Sequence, residues 1–195
     1  MRYIRLLLLT LLMTTLLTSL VFANTNYLDV DTAIRAGKNN IVFKAGTRVT
    51  LDRQGYAVKG ILAKDQFISC VRISMKFKEN TLIHLDSKGN VITGTIANNE
   101  TISNGRVSYR YQAGTPILFD NLGYVVSGVL LNNQAIETRV QKCLFMAGHV
   151  VEFNNEGFII AGTLAEDKNL AVSSTQTVFY SQGRKVKFND KGYAY

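Results

Sequence analysis

The side chains best suited to catalysis or metal binding are few and scattered in this 195-residue sequence. It contains two histidines, His84 and His149, and two cysteines, Cys70 and Cys143. A zinc site needs three or four convergent donors, and a Ser-His-Asp arrangement needs a histidine near both a serine and an acid. No such spacing surrounds either histidine, and no serine lies in a Gly-x-Ser-x-Gly motif. We therefore expect no enzyme activity and no metal or other cofactor.

Four cations form the one candidate anion-binding patch in the sequence. Arg72 and Arg106 are 34 residues apart, and so are Lys76 and Arg110. If the chain repeats with that period, the four side chains lie near one another on a polar strand face, and Lys142 extends the patch. The alternative is that these charges only solvate an exposed strand and discourage edge pairing.

A third group combines an acid or amide with a glycine three positions later. The pairs are Asp52 and Gly55, Asp86 and Gly89, Asp120 and Gly123, Asn154 and Gly157, and Asn189 and Gly192. Repeated aspartates suggest calcium, but each is a single carboxylate and calcium takes six or more oxygens. An Asp or Asn that caps backbone N–H groups, followed by a glycine in the left-handed conformation, is typical of a hairpin turn. We assign these residues a structural role.

The glycines of these pairs reveal an internal repeat, with spacings of 34, 34, 34 and 35 residues. Apolar and polar residues alternate on both sides of each turn, as in Val49 and Leu51, which predicts a β-hairpin. A second turn and a third strand ending in Phe77, Tyr111 or Phe145 complete a unit of about three strands. The predicted fold is all-β, with tandem β-hairpin repeats forming an elongated antiparallel sheet. The units cover residues 24–43 (partial), 44–77, 78–111, 112–145, 146–180 and 181–195 (partial).

The two ends of this repeat domain have the same position within the repeat. Asn24 and Tyr195 both correspond to Val58, so the first segment supplies the part of a unit that the last segment lacks. This match is compatible with a closed ring or propeller-like arrangement, or with an open array whose partial repeats act as caps. We favour the open array, because a three-stranded unit is thin for a propeller blade.

Repeat position also bears on the cysteines and on the aromatic residues after the turns. Cys70 and Cys143 lie about two repeats apart, beyond the roughly 7 Å Cα separation that a disulfide tolerates, so we predict no intramolecular disulfide. Tyr56, Tyr124 and Phe158 follow their turns in register, as does Tyr193. These rings either pack in the core, which we favour, or form a ladder that stacks on sugars.

Residues 1–23 have the features of a signal peptide. Arg2 and Arg5 precede an apolar run that ends in Val21-Phe22-Ala23, so cleavage is expected after Ala23. An uncleaved membrane anchor is the alternative, and it offers the one route we foresee to membrane association. Export predicts a periplasmic, cell-surface or secreted protein.

Residues 24–195 form a single domain with 20 basic and 14 acidic residues. This excess favours anionic partners, but the compartment and the lack of a dense basic cluster exclude nucleic acid.

The stretch from Val151 to Leu164, VEFNNEGFIIAGTL, resembles the hairpin repeats of the membrane occupation and recognition nexus (MORN) type, particularly their bacterial variant. That resemblance implies an elongated twisted sheet that acts as a scaffold or binding surface without enzymatic activity. We predict an exported, non-catalytic binding or scaffold module of the bacterial cell envelope, directed at a protein or an anionic surface polymer. The alternative is a β-barrel inserted in the outer membrane, although most strands look shorter than the roughly 9 to 11 residues such a span needs.

Overall fold

The computed structural model describes residues 24–195, which form twenty short strands joined by turns and contain no helix. The predicted signal peptide, residues 1–23, lies outside the described residues. Ten strands form one main sheet: β1 (Asn24–Tyr27), β4 (Arg48–Leu51), β5 (Ala57–Ile61), β8 (Leu82–Leu85), β9 (Val91–Thr95), β12 (Pro116–Phe119), β13 (Val125–Val129), β16 (Val150–Phe153), β17 (Ile159–Thr163) and β20 (Lys185–Lys187).

The other ten strands form five separate two-stranded hairpins, which we call the side hairpins. They are β2 (Thr32–Ala36) with β3 (Asn39–Phe43), β6 (Gln66–Ser69) with β7 (Ser74–Phe77), β10 (Glu100–Ser103) with β11 (Ser108–Tyr111), β14 (Gln134–Glu137) with β15 (Lys142–Phe145), and β18 (Lys168–Ala171) with β19 (Thr177–Tyr180). One side hairpin follows each pair of main-sheet strands along the chain. The all-β hairpin-repeat fold predicted from the sequence is confirmed.

The repeating unit has four strands, so the estimate of three was wrong. The segment expected to form one strand up to Phe77 turns back on itself, because the Cys70 N–H donates to the Ile73 carbonyl at 2.7 Å. This turn lacks glycine and proline, so its sequence carries no strong signal for a reversal. The equivalent turn one unit later contains Asn104-Gly105, which is such a signal.

The main-sheet hairpins close at the Asp/Asn-x-x-Gly turns. At the central one, Asp120 Oδ1 accepts the backbone N–H groups of Leu122 at 2.9 Å and Tyr124 at 2.8 Å. Gly123 has φ of +80°, in the left-handed region that glycine adopts without steric cost. Next to the turn, the register of β12 against β13 shifts between Leu118 and Phe119, which indicates a β-bulge.

One continuous hydrophobic core joins the main sheet to the side hairpins. The last residue of each of the first four side hairpins is a fully buried aromatic ring: Phe43, Phe77, Tyr111 and Phe145. Each ring lies against a main-sheet glycine, in the order Gly60, Gly94, Gly128 and Gly162. A Cβ atom on Gly60 would lie only 2.5 Å from the Phe43 ring, so this contact requires glycine. These glycines let the two layers approach closely.

Side-chain amides link neighbouring side hairpins. Gln66 Nε2 donates to the Val42 carbonyl, and Gln66 Oε1 accepts the Val42 N–H, both at 2.9 Å. Gln134 makes the same two bonds with the backbone of Arg110, at 2.8 and 2.9 Å. The glutamine amide thus satisfies backbone groups that would otherwise need a neighbouring strand.

The array is open. In the main sheet β1 and β20 lie at opposite ends, and each pairs with one strand of residues 24–195. The open array that we favoured is therefore confirmed, and the closed ring is not formed.

Candidate binding surface

The outward face of the side hairpins carries two of the four predicted cations. Lys76 lies on β7 with Phe67 as its cross-strand neighbour, and Arg110 lies on β11 with Thr101 as its neighbour. The two cations occupy equivalent positions in adjacent side hairpins. Successive units add two strands to the main sheet, so equivalent Cα atoms are about 10 Å apart.

Arg72 and Arg106 lie elsewhere, at the tips of the same two side hairpins, and their guanidinium groups face the main sheet. Arg72 stacks over the Tyr124 ring, with 4.0 Å between Cζ and the ring centroid, and its Nε donates to the Leu122 carbonyl at 2.9 Å. Arg106 stacks over Phe158 at 4.0 Å. Such cation–π contacts each contribute about 0.5–1 kcal/mol at exposed sites. The tip arginines therefore hold the side hairpins to the main-sheet turns.

Further interactions join the tips of the third and fourth side hairpins, which carry Arg106 and Arg139. Arg106 lies 3.9 Å from a Glu137 carboxylate oxygen. Arg139 approaches the Phe158 ring at 4.7 Å and forms an ion pair with Glu156. Phe158 is thus contacted by two guanidinium groups, which occupy the ring surface that a sugar would need.

The aromatic residues after the turns are half-buried, where core packing was expected. Tyr56, Tyr124 and Phe158 lie at the margin of the core, each beneath an arginine of a side hairpin: Arg35 from strand β2, and Arg72 and Arg106 from the tips. The Arg35 contact to Tyr56 is longer, at 5.5 Å. Strand alternation placed these rings on an apolar face, but it carried no information about the hairpin tip that lies across from them.

Lys76 and Arg110 are far less constrained than the tip arginines. Lys76 Nζ lies 3.7 Å from an Asp65 carboxylate oxygen, with side chains 35% and 39% exposed. An ion pair that exposed contributes 0–1 kcal/mol and exchanges readily with another anion. The Arg110 side chain is exposed and forms no ion pair within residues 24–195. Both cations are available to a ligand in solution.

The same face also presents an aromatic ring and a set of hydroxyl groups. Phe67 is 71% exposed beside Lys76. Two cross-strand serine pairs lie further toward the tips: Ser69 with Ser74, and Ser103 with Ser108. We name the outward face of β6, β7, β10 and β11 the cationic hairpin face. Strand alternation would have predicted Phe67 and the serines as members of it, had the turn at residues 70–73 been recognised.

The cationic hairpin face does not extend into the next unit. Leu144 occupies the position of Lys76 and Arg110 there, opposite Ala135. Lys142, expected to extend the patch, lies opposite Glu137. The added cation thus lies beside an acid, so the candidate surface covers two side hairpins.

The histidines and cysteines do not assemble into a reactive site. Among residues 24–195 no group of three His, Cys, Asp or Glu side chains is arranged to hold a metal ion. His84 lies opposite Lys59 in the main sheet, and burial together with that cation lowers its pKa. Cys70 and Cys143 are free, buried thiols, and burial raises their pKa values to about 12 and about 11. A thiol with so high a pKa is a poor nucleophile.

Residues 24–195 include no helix long and apolar enough to cross a bilayer. No family model matches the chain, and the comparisons with curated proteins and with solved structures find no similar one.

Proposed function

We propose that this chain is an exported, non-catalytic binding module whose cationic hairpin face binds an anionic polymer of the cell envelope. The observation that carries the proposal is the pair Lys76 and Arg110, equivalent, outward and accessible on adjacent side hairpins. Export rests on the signal-peptide features of residues 1–23.

The chemistry of the surface suits an extended polymer with repeated negative charges. Two cations about 10 Å apart contact separate anionic groups of one chain, each by a charge-assisted hydrogen bond. The Ser69, Ser74, Ser103 and Ser108 hydroxyls can donate to further oxygens. The exposed Phe67 ring offers an apolar surface for the backbone of a sugar-containing polymer. Binding through exposed cations is weakened by salt.

The four predicted cations have two different roles, and the test of the proposal must separate them. Substitution of Arg72 or Arg106 removes contacts that hold the repeats together, so a change in binding would be confounded by a change in stability. Substitution of Lys76 and Arg110 removes charge from the surface and leaves those contacts intact.

The experiment compares two double variants with equal loss of charge. Lys76→Ser/Arg110→Ser alters the cationic hairpin face, and Lys185→Ser/Lys187→Ser alters β20 at the end of the main sheet. Affinity for dextran sulfate, a soluble polyanion, is measured by fluorescence anisotropy at several salt concentrations, and thermal unfolding verifies folding.

We expect the hairpin variant to bind more weakly, with a log–log salt slope smaller by roughly one to two, since two contacts are lost. The β20 variant should retain the affinity of the unmodified protein. Equal weakening of both variants would show that only net charge attracts the polymer. Unchanged binding by the hairpin variant would rule out this face and favour a protein partner.

A further inference from the structure

The face of the main sheet that points away from the side hairpins is not covered by another layer within residues 24–195. On β12, Ile117 and Phe119 are buried in the core, so Leu118 between them faces outward. Leu118 is 37% exposed, and Leu82 and Val150 on the same face are 44% and 45% exposed. We name the outward residues of β5, β8, β9, β12, β13 and β16 the outer sheet face.

One row of residues across the outer sheet face carries no charge. In strand order from β5 to β16, the strand registers place these residues side by side: Ile61, Leu82, Thr95, Pro116, Val129 and Val150. Neighbouring strands are about 4.8 Å apart, so the row is about 24 Å long. An exposed, mainly apolar row of this length favours a partner that buries it.

The adjacent row has one charge at each end, and its members in the same strand order are Lys59, His84, Thr93, Leu118, Ser127 and Glu152. Among residues 24–195, neither Lys59 nor Glu152 forms an ion pair. Five strand spacings, about 24 Å, separate the two side chains, so they cannot reach each other within one chain.

We propose that two copies of this chain dimerise through the outer sheet face, about a two-fold axis that runs along the strands between β9 and β12. This rotation exchanges the two ends of each row and leaves each row opposite its own copy. Lys59 of each copy then meets Glu152 of the other, which gives two equivalent ion pairs. In the uncharged row, Ile61 meets Val150. The same patch serves both copies, as in most two-fold dimers.

The charges select this axis over the other two-fold axis in the plane of the sheet. An axis perpendicular to the strands would stack β5 on β5 and β16 on β16, which brings like charges together. Sheet twist is compatible with the proposed axis, because a uniformly twisted sheet coincides with itself after half a turn about an axis along its strands. The two sheets therefore pack with their strands aligned, as in a β-sandwich.

The size of the contact fits a reversible dimer. The strands from β4 to β17 cover about 34 Å across the sheet, and each is about 15 Å long, so the contact covers about 500 Å² of each copy. The total of about 1,000 Å² lies at the lower limit for specific interfaces, so we expect the dimer to dissociate on dilution.

A second copy fits this face better than a lipid bilayer does. The apolar part of a bilayer offers no partner to Lys59 or Glu152, and burial of an unpaired charge is costly. A second copy supplies the opposite charge at both positions. The dimer also leaves both cationic hairpin faces exposed, on opposite outer sides.

Sedimentation velocity over a range of concentrations measures dimerisation of protein expressed from the full sequence. Val150→Lys places a charge in the uncharged row, opposite Ile61, and should weaken dimerisation at least tenfold. Val140→Lys is the matched control. Val140 is 44% exposed and lies at the tip of the fourth side hairpin, outside the outer sheet face, so its substitution should leave dimerisation unchanged. Thermal unfolding verifies that both variants fold.

Charge reversal tests the axis. Lys59→Glu and Glu152→Lys each convert both ion pairs into like-charge contacts, and each should weaken dimerisation about tenfold. The double variant Lys59→Glu/Glu152→Lys restores opposite charges and should dimerise like the unmodified protein. An equimolar mixture of the two single variants should form heterodimers for the same reason.

The proposal is overturned if the unmodified protein is monomeric at every concentration, or if Val150→Lys and Val140→Lys have equal effects. Failure of the double charge variant to recover dimerisation would rule out this two-fold arrangement. Binding to liposomes of uncharged lipid by a protein that stays monomeric in solution would assign the face to a bilayer. Lys76→Ser/Arg110→Ser alters the other layer and should dimerise normally, so dimerisation and polyanion binding are tested independently.

Discussion

The contact between the Gly60 backbone and the Phe43 ring offers the sharpest test of how the two layers pack. In Gly60→Ala the new methyl group would lie 2.5 and 2.7 Å from two ring carbons of Phe43, and 3.2 Å from Cγ2 of Val49. Carbon atoms in favourable contact are about 3.5–4.0 Å apart, so the ring or the strand must move by about 1 Å. Phe43 is fully buried, so a shift of its ring must displace other atoms of the core.

The expected magnitude follows from two opposing effects. Alanine in a strand is favoured over glycine by about 0.5–1 kcal/mol, because it loses less backbone entropy on folding. Overpacking of a buried contact costs about 1–3 kcal/mol, and a contact this short belongs at the upper end of that range. We therefore expect Gly60→Ala to lower the free energy of unfolding by about 2 kcal/mol, measured by urea denaturation monitored by circular dichroism.

A second substitution separates overpacking from other causes. Phe43→Leu shortens the ring side chain and destabilises by itself, but in the double variant it leaves room for the alanine methyl group. The double variant should therefore lose less stability than the sum of the two single variants. If Gly60→Ala is as stable as the unmodified protein, or if the two substitutions are additive, the close packing of ring against glycine is not what requires glycine at this position.

Two further predictions concern the turns and the buried thiols. Asp120→Ala removes the acceptor for the Leu122 and Tyr124 N–H groups and should lower the free energy of unfolding, measured by urea denaturation, by about 1–2 kcal/mol. Asp120→Asn retains a side-chain oxygen and should lower it clearly less. Equal losses in the two variants would show that the side-chain oxygen is not the stabilising group. Burial raises the pKa of Cys70 from 9.0 to about 12, and that of Cys143 to about 11, so unfolded thiols ionise at a pH where folded ones do not. The thiol contribution to the free energy of unfolding should therefore be full below pH 9 and decline as pH rises from 9 toward 12. A Cys70→Ala/Cys143→Ala variant should show a smaller decline in stability over that range. An equal decline would show that ionisation of the thiols is not its cause.

The hairpin repeat could be predicted from the sequence because its determinants are local. An Asp or Asn with a glycine three positions later specifies a turn through bonds within five residues, as at Asp120, and the strands follow from alternation on either side. The side-hairpin turn at Cys70 was not predicted, because it has no such local determinant. Its residues lack turn chemistry, and it is held in place by packing of the tip against a main-sheet turn belonging to another unit.

The candidate site was only partly predictable. Repeat phase identified Lys76 and Arg110 as equivalent, and alternation correctly placed them on a polar face. The same reasoning grouped them with Arg72 and Arg106, whose guanidinium groups are engaged by rings more than one repeat away in the sequence. The position of a residue within the repeat identifies its equivalents in other units. It does not reveal which side chains of other units contact that residue in the folded protein.

The sequence by itself thus determined the period, the turn residues, the all-β class and the matching phase of Asn24 and Tyr195, because all of these depend on residue type and spacing along the chain. Only the tertiary structure decided that the array stays open, that the tip arginines are structural, and that two cations remain accessible. Those outcomes depend on how hairpins from different units stack on one another. That stacking is governed by close contacts such as the Phe43 ring on Gly60, which join residues that no local pattern connects.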